Sequence, residues 1–214
     1  MDPPNTFLIM ELCRRSLFDL LHHCRRPIEI REQIGMALDV SRAMVYLHSR
    51  IPAIVHRDLK SLNLLLAGKD GPVKLCDFGL VRTTIKSVGT PYVMAPELLL
   101  AHPFNKSVDV YAFGILLWEM FTRKVPFSGL EASEIVETVV SGGRPTVPRG
   151  DFPSGIEHLM CRCWSEDPSQ RPQFDETERL LEELLRQSTS ATCTTEESKE
   201  MDNTGDCLDD LLQK

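Results

Sequence analysis

Two stretches of the chain carry the hydrophobic pattern of long helices. In residues 29–48 apolar side chains recur at close to helical spacing, which predicts a long helix with a buried face. Residues 109–121 are apolar on nearly every face, as expected for a helix that is buried on all sides. Shorter helices are predicted at 134–140 and 156–164, and a final one at 174–187.

Short apolar runs between these helices predict strands at 6–11, 51–55, 63–67 and 73–76. The last two are separated by Lys69-Asp70-Gly71, and an Asp-Gly pair is a strong hairpin signal. Ser16 is a candidate N-cap for a short helix at 17–21. Residues 80–94 have no clear period and are predicted to form a loop that ends before Pro96.

Composition limits the possible partners and compartments. The chain has 214 residues, 42% of them hydrophobic, and a net charge of −7, so no basic surface for nucleic acid or anionic membranes is expected. The longest apolar run, 110–120, is too short to cross a bilayer and contains Glu119. The N-terminus does not resemble a secretory signal, and the seven cysteines follow no metal-binding pattern. A cytoplasmic protein with free thiols is expected.

From Ser188 onward the composition shifts to Ser, Thr and acidic residues. Residues 188–214 hold seven acidic and two basic side chains, a net charge of −5. This composition predicts a disordered tail, and so divides the chain into a domain at 1–187 and a tail at 188–214. A short amphipathic docking turn at 207–212 is the alternative for the end of the tail.

Three motifs carry the candidate chemistry: H-R-D-L-K-S-L-N at 56–63, D-F-G at 77–79 and A-P-E at 95–97. Phosphoryl transfer needs a carboxylate to orient the attacking hydroxyl and a cation near the migrating phosphoryl group. It also needs oxygen ligands for Mg²⁺. The set Asp58, Lys60, Asn63 and Asp77 supplies all of these, and the predicted hairpin brings Asn63 and Asp77 to the same cleft.

In this order and spacing, the motifs resemble those of the protein kinase family over residues 8–185. The chain looks like the large C-terminal lobe and hinge of a serine/threonine protein kinase. The run C-W-x-x-x-P-x-x-R-P at 163–172 resembles the tyrosine-kinase-like group. The implied fold is α+β, a mainly helical lobe with short β-hairpins, with the small lobe represented only by its last strand. The implied function is transfer of the γ-phosphate of ATP to protein Ser/Thr hydroxyls in signalling.

The resemblance assigns roles to the motif residues. Asp58 is the catalytic base, Lys60 contacts the γ-phosphate, and Asn63 and Asp77 bind Mg²⁺ and, with Lys60, ATP. His56 is assigned a structural role beneath Phe78 in preference to acid–base work.

Adenine would contact Leu65 from below and the backbone of Glu11 and Cys13 at the hinge, with Met10 at the back of the pocket. For Leu65, an ordinary core role is compatible with this one. Residues 6–21 taken alone also fit a strand, turn and helix that bind no ligand.

Further residues would support and regulate this site. Arg57 would bind a phosphate that an upstream kinase adds to Thr83, Thr84 or Ser87. Thr90 is expected to hydrogen-bond Asp58 and Lys60. One further residue and one pair are assigned to stability of the site: Asp109, which would cap the backbone of the catalytic loop from the buried helix, and the buried pair Glu97–Arg171.

The sequence departs from the family pattern at its start. It contains no G-x-G-x-x-G and no V-A-I-K, which in the family hold the ATP phosphates. Two hypotheses follow: a piece of a working Ser/Thr kinase, or a catalytically impaired lobe that acts as a binding or regulatory scaffold. The 214-residue chain alone is expected to transfer phosphate weakly or not detectably.

Overall fold

The computed structural model describes residues 9–68, 71–77, 90–148 and 152–200, without the side chains of 154 and 189–200. In these ranges the chain forms a mainly helical domain with one small sheet. The strands are β1 (Arg15–Ser16), β2 (Leu64–Leu66) and β3 (Val73–Leu75), and a π-helix, Asp19–His23, follows β1. The α-helices are α1 (Ile30–His48), α2 (Pro96–Leu99), α3 (Ser107–Thr122), α4 (Ala132–Val140), α5 (Ser154–Cys163) and α6 (Phe174–Glu200).

Helix α3 lies at the centre of the core. Thirteen consecutive residues of it, Val108–Met120, are buried, so the predicted helix without a solvent face is confirmed. It packs against α5 at Gly114, where an added Cβ would lie 2.9 Å from the Cβ of Cys163. Only glycine permits this approach, which brings the two helix backbones together.

Helix α1 packs along α6, with its apolar face turned inward. Ser41 of α1 donates a hydrogen bond to the carbonyl of Phe174 at 3.2 Å. The Phe174 ring lies edge-on to both His48 and Phe113, which belong to α1 and α3. Phe174 thus joins three helices at one point.

The predicted hairpin at 63–76 is confirmed. Strands β2 and β3 are antiparallel with Leu65 opposite Lys74, and β1 joins the other edge of β2 with Arg15 opposite Leu66. Leu64 and Leu66 are buried on one face of the sheet, whereas Leu65 lies on the opposite face. Residues 69–70 of the turn lie outside the described residues.

The strand predicted at 6–11 is wrong over the described residues 9–11, and the one predicted at 51–55 is wrong. Of residues 6–11, only 9–11 are described, and they are irregular, with the Ile9 side chain 93% exposed. The free edge of β2 is taken by Arg15–Ser16 instead, preceded by a hydrogen bond from the Arg14 N–H to the Leu66 carbonyl at 3.0 Å. A strand forms only where its backbone groups have a partner, and apolar composition does not reveal that partner.

Residues 51–55 are also irregular, although their composition predicted a strand. Ile51 is fully exposed, and Pro52 has no N–H to offer a neighbouring strand. The segment is held instead by a hydrogen bond from the Ile54 N–H to the Leu47 carbonyl at 3.1 Å. It connects α1 to the H-R-D motif without belonging to the sheet.

The last helix continues beyond its predicted end. Helix α6 runs to Glu200, so the end predicted at 187 is wrong. Ser188 donates its hydroxyl to the Leu185 carbonyl at 2.7 Å, a contact inside the helix that lets Ser continue a helical turn. The domain boundary at 187 and the disorder of 188–214 remain predictions, and residues 201–214 lie outside the described residues.

None of the described helices combines the length and the apolar character needed to cross a membrane.

Candidate active site

The H-R-D segment is held from below by Asp109, a fully buried residue of α3. Its carboxylate accepts the backbone N–H of His56 at 2.9 Å and that of Arg57 at 2.8 Å. The Nε2 of His48 lies 2.8 Å from the same carboxylate. Arg57 has a φ of 67°, a conformation that costs energy for a non-glycine residue and that these contacts maintain. The predicted capping role of Asp109 is confirmed.

His56 is buried and makes two structural hydrogen bonds. Its Nε2 lies 3.1 Å from the Cys76 carbonyl, and its Nδ1 accepts the Asp58 N–H at 3.3 Å. Because Nδ1 accepts, Nε2 carries the proton and donates to Cys76. This arrangement fits the structural role predicted for His56, joining the catalytic segment to the end of β3. Phe78, the expected neighbour of His56, lies outside the described residues.

Asp58, Lys60 and Thr90 form one polar cluster. The Lys60 ammonium lies 2.6 Å from the Asp58 carboxylate and 2.6 Å from the Thr90 hydroxyl. Thr90 in turn donates to the other carboxylate oxygen of Asp58 at 2.9 Å. The prediction that Thr90 hydrogen-bonds Asp58 and Lys60 is confirmed. The cluster places one carboxylate beside one cation at the edge of the site, as phosphoryl transfer requires.

Asn63 completes the cluster and connects it to the hairpin. Its Nδ2 donates to the Asp58 carbonyl at 2.8 Å and to the Asp58 carboxylate at 3.0 Å, so its amide oxygen faces away from Asp58. The Asn63 carbonyl accepts the Cys76 N–H at 2.9 Å, which brings Asn63 and Asp77 to the same end of the β2–β3 hairpin. Asp77 is exposed, with a φ of 64°. Strained backbone of this kind is common at active sites.

The face of the sheet opposite the core carries Leu65, with Lys74 beside it. The Lys74 ammonium pairs with the Glu11 carboxylate, so residue 11 lies next to this face. Leu65 is partly buried, Cys13 likewise, and the Met10 side chain is 68% exposed. The structure thus groups Glu11 and Leu65 around one surface, and their predicted contacts with adenine remain predictions.

Arg171 and Glu97 form a buried ion pair. Arg171 makes two hydrogen bonds to the Glu97 carboxylate, at 2.6 and 3.0 Å, and a third to the Ser165 carbonyl at 2.9 Å. The Arg171 side chain is fully buried. Its guanidinium also lies 5.2 Å from the centre of the Tyr111 ring. The predicted pair is confirmed, and it joins the A-P-E motif to the segment before α6.

One buried carboxylate near the site escaped the sequence analysis. Glu119 of α3 is 2% exposed and accepts the Ser61 hydroxyl at 2.7 Å, with the Nε2 of His22 at 2.8 Å from the same oxygen. Burial raises the pKa of Glu119, whereas the bonds from Ser61 and His22 act against that shift. The available signal was the one carboxylate inside the otherwise apolar run 110–120, since such a group requires polar partners.

Tyr92 lies near two of these carboxylates. Burial, followed by the negative charges of Glu119 and Asp58, raises the pKa of Tyr92 to about 12.

Among the described residues, no group of three or more His, Cys, Asp or Glu side chains is positioned to hold a metal ion. The sequence-predicted Mg²⁺ ligands, the amide oxygen of Asn63 and the carboxylate of Asp77, are hard oxygen atoms that suit this cation, and their role remains a prediction.

The remaining predicted residues fall in the segment that the structure does not describe. Thr83, Thr84 and Ser87 lie within residues 78–89, so their placement is untested. Arg57, their proposed partner after phosphorylation, lines an open cleft of about 820 Å³ together with Arg50 and Phe104.

Comparison with known proteins identifies the class. A family model described as protein tyrosine and serine/threonine kinase matches residues 1–181. The chain belongs to the protein kinase family. Its relatives and the C-W-x-x-x-P-x-x-R-P run agree with the predicted serine/threonine kinase of the tyrosine-kinase-like group, and the predicted α+β kinase-like fold is confirmed.

Three curated relatives show the extent of the similarity. A probable serine/threonine-protein kinase of Dictyostelium discoideum is 40% identical over 190 residues, which are 85% of this chain and 20% of the relative. The serine/threonine-protein kinase CTR1 of Arabidopsis thaliana is 40% identical over 195 residues, 86% of this chain and 24% of the relative. The serine/threonine-protein kinase STY17 of Arabidopsis thaliana is 36% identical over 192 residues, which are 86% of this chain and 33% of the relative. The chain thus spans between a fifth and a third of these relatives.

Proposed function

We propose that the protein is a serine/threonine kinase that transfers the γ-phosphate of ATP to Ser or Thr hydroxyls of protein substrates in signalling. The observation that carries this proposal is the cluster of Asp58, Lys60, Thr90 and Asn63, joined to the Asp77 end of the hairpin. A lobe used only as a scaffold has no need of this set of mutually bonded side chains, two of them buried and two partly buried. The cluster therefore favours catalysis over the scaffold alternative.

Asp58 is the residue that accepts the proton of the substrate hydroxyl. Its carboxylate is held in place by Thr90, Lys60 and Asn63, so it is oriented before a substrate arrives. Lys60 lies close enough to Asp58 to contact a phosphoryl group that is attacked by a hydroxyl at Asp58. Its ammonium offsets the negative charge that grows as the bond to the leaving group breaks.

Asn63 and Asp77 are the proposed ligands of Mg²⁺. The fit rests on the orientation of the Asn63 amide, whose nitrogen is bonded to Asp58, which leaves its oxygen for a cation. Two protein oxygens complemented by phosphate oxygens suit Mg²⁺, which when bound neutralises charge on the triphosphate. The adenine would rest on Leu65 and contact the backbone of Glu11 and Cys13.

Regulation and location are proposed from the same site. A phosphate placed on Thr83, Thr84 or Ser87 by an upstream kinase would bind Arg57, whose position on an open cleft supports this role. Charge-assisted bonds of that kind order a loop. ATP, Mg²⁺ and protein substrates are supplied in the cytoplasm, the proposed location, where the free thiols also remain reduced.

The test is transfer of labelled γ-phosphate to a mixed Ser/Thr-containing protein substrate. We expect weak, Mg²⁺-dependent incorporation on Ser and Thr that falls by about 10²–10⁴-fold in Asp58→Asn, the range typical of a lost general base. Asp175→Asn, which changes an exposed carboxylate on α6, is the matched control and should leave the rate unchanged. Incorporation that persists in Asp58→Asn would contradict the proposal and favour the scaffold alternative.

A further inference from the structure

Glu119 lies where three segments of the molecule meet. It belongs to α3, its Oε1 accepts the hydroxyl of Ser61 in the catalytic segment, and the same oxygen contacts His22 of the π-helix. Ser61 is fully buried and the His22 side chain is 10% exposed, so water competes little with either contact. The Glu119 oxygen thus links Ser61 and His22 in one buried polar network.

The contact to Ser61 acts directly on the proposed catalytic residues. Ser61 begins the 3₁₀ turn Ser61–Asn63, and the Asn63 N–H closes this turn on the Lys60 carbonyl at 3.0 Å. Lys60 and Asn63 therefore flank the residue that Glu119 holds. A shift of the Ser61 side chain moves the backbone from which both functional side chains extend.

The other side of the network is held by Arg123, the residue that directly follows α3. The guanidinium of Arg123 donates to the carbonyl of Leu21 at 3.0 Å and to that of Arg26 at 2.8 Å, and it also bonds the Cys24 carbonyl. These carbonyls belong to the end of the π-helix or follow it, where helical carbonyls lack partners. Helix α3 thus fixes the π-helix through Arg123 and connects it to the catalytic segment through Glu119.

The contribution of the Glu119 carboxylate lies in its position and not in the free energy of folding. Burial is the largest influence on the pKa of Glu119 and raises it, so the charged form is disfavoured at this place. A buried charge is often replaceable by an apolar side chain without loss of stability. What an apolar replacement cannot supply is one oxygen atom that accepts from two segments at once.

We propose that Glu119 is a positioning residue. It fixes the position of the catalytic segment, through Ser61, relative to the π-helix Asp19–His23, through His22. The proposal deepens the proposed function and rests on it, because the residues placed are Lys60 and Asn63. Glu119 touches no substrate in this role. Its effect is on the geometry of the 3₁₀ turn and on the proton position at His22.

The test is amide hydrogen exchange of the full chain, read on peptides covering 59–66 and 17–24. We expect Glu119→Leu to accelerate exchange in both peptides by about tenfold, since a lost buried hydrogen bond shifts an opening equilibrium by roughly that factor. Exchange in the centre of α3, at 110–117, should not change. Glu119→Gln keeps an accepting oxygen and should restore most of the protection at 59–66.

Two single substitutions separate the arms of the network. Ser61→Ala and His22→Gln should each accelerate exchange at 59–66, and their effects should be less than multiplicative when combined. In the Glu119→Leu background neither should add further. Ser49→Ala and His23→Gln, which change a hydroxyl and an imidazole with exposed contacts, are the matched controls and should leave 59–66 unchanged.

A second readout reports the network without relying on catalysis. Because the Oε1 of Glu119 is an acceptor, the Nε2 of His22 must carry the proton, so the imidazole ¹⁵N shifts should show the Nε2–H tautomer and change in Glu119→Leu. Unchanged exchange at 59–66 in Glu119→Leu, or equal acceleration over every peptide, would overturn the positioning role and leave the proposed function intact. Exchange altered as expected in Glu119→Leu, together with phosphate transfer that Asp58→Asn leaves unchanged, would count against the proposed function alone.

Discussion

The catalytic segment at 56–63 and the hinge-side segment at 9–13 are predicted to face the same nucleotide, yet they are held in different ways. In the catalytic segment, His56, Asp58 and Asn63 are buried and bonded to one another or to the core. In the hinge-side segment, Ile9 and Leu12 are 93% and 95% exposed. The difference shows that the catalytic segment is held by α3, where the buried carboxylates of Asp109 and Glu119 accept hydrogen bonds from it.

This contrast gives different energetic weight to similar-looking contacts. The ion pair of Asp58 with Lys60 lies in a protected cluster, whereas the pair of Glu11 with Lys74 is half exposed on both sides. Solvent and mobile ions weaken the second pair and have little access to the first. Substitutions on the two sides should therefore differ strongly in effect.

The largest effect is expected where the catalytic segment rests on α3. Asp109→Ala leaves two backbone N–H groups and His48 without their acceptor in a buried place, at a cost of about 3–5 kcal/mol in the free energy of unfolding. Urea denaturation followed by tryptophan fluorescence measures this loss. The exposed Asp175→Ala on α6 is the control and should change stability by less than about 0.5 kcal/mol. Equal stability of the two variants would refute the dependence on α3.

A smaller loss is expected at the base of the site. Arg171→Lys keeps the charge but cannot reach both Glu97 oxygens and the Ser165 carbonyl together, so it should cost about 2–3 kcal/mol. Arg179→Lys, at an exposed position of α6, is the matched control and should be neutral. The same urea titration applies. A neutral Arg171→Lys would mean that the pair contributes charge alone and no geometry.

The free energy of unfolding should decrease at alkaline pH because two buried tyrosines titrate there. Burial raises the pKa of Tyr92 and that of Tyr111 to about 12, from 10 in the unfolded chain. The resulting stabilisation is complete below pH 10 and disappears as pH rises towards 12. Stability measured by urea should thus fall between pH 10 and 12, and Tyr92→Phe and Tyr111→Phe should each reduce the slope. A flat profile over this range in the unmodified protein would contradict the burial of these phenols.

The smallest effect is expected on the hinge side. Lys74→Met removes an ion pair whose side chains are 42% and 53% exposed, so it should change the free energy of unfolding by no more than about 0.5 kcal/mol. Glu11→Gln removes the same ion pair, so its urea midpoint should equal that of Lys74→Met. If Lys74→Met lowered the free energy of unfolding as much as Arg171→Lys, the exposed pair would contribute as much as a buried one. The proposed difference between the hinge-side segment and the buried contacts would then be refuted.

Much of the catalytic segment was predictable because its chemistry is local. The spacing of Asp58, Lys60 and Asn63 within a few residues, and the Asp-Gly signal before β3, determine which groups meet. Helix α3 was equally clear, since an apolar pattern without a polar face has one interpretation. The role of Asp109 and the pair Glu97–Arg171 followed from the family resemblance and not from the pattern itself.

The remainder depends on contacts between distant residues. Residues 6–11 and 51–55 have the composition of strands, but the sheet edge is occupied by Arg15–Ser16, which are polar and were not predicted to pair. The link between His22, Ser61 and Glu119 joins positions 97 and 58 residues apart in sequence. No local pattern identifies such partners, although a carboxylate within an apolar helix indicates that partners must exist.

The central claim is that Asp58, Asn63 and Asp77 surround a metal-bound triphosphate. Paramagnetic relaxation by Mn²⁺, added with a non-hydrolysable ATP analogue, tests it directly. The account predicts that the side-chain amide signals of Asn63 broaden beyond detection, that Asp77→Ala restores them, and that the amide of Gly155 on α5 is unaffected. Sharp Asn63 signals with the nucleotide bound would place the metal elsewhere and contradict the proposed site.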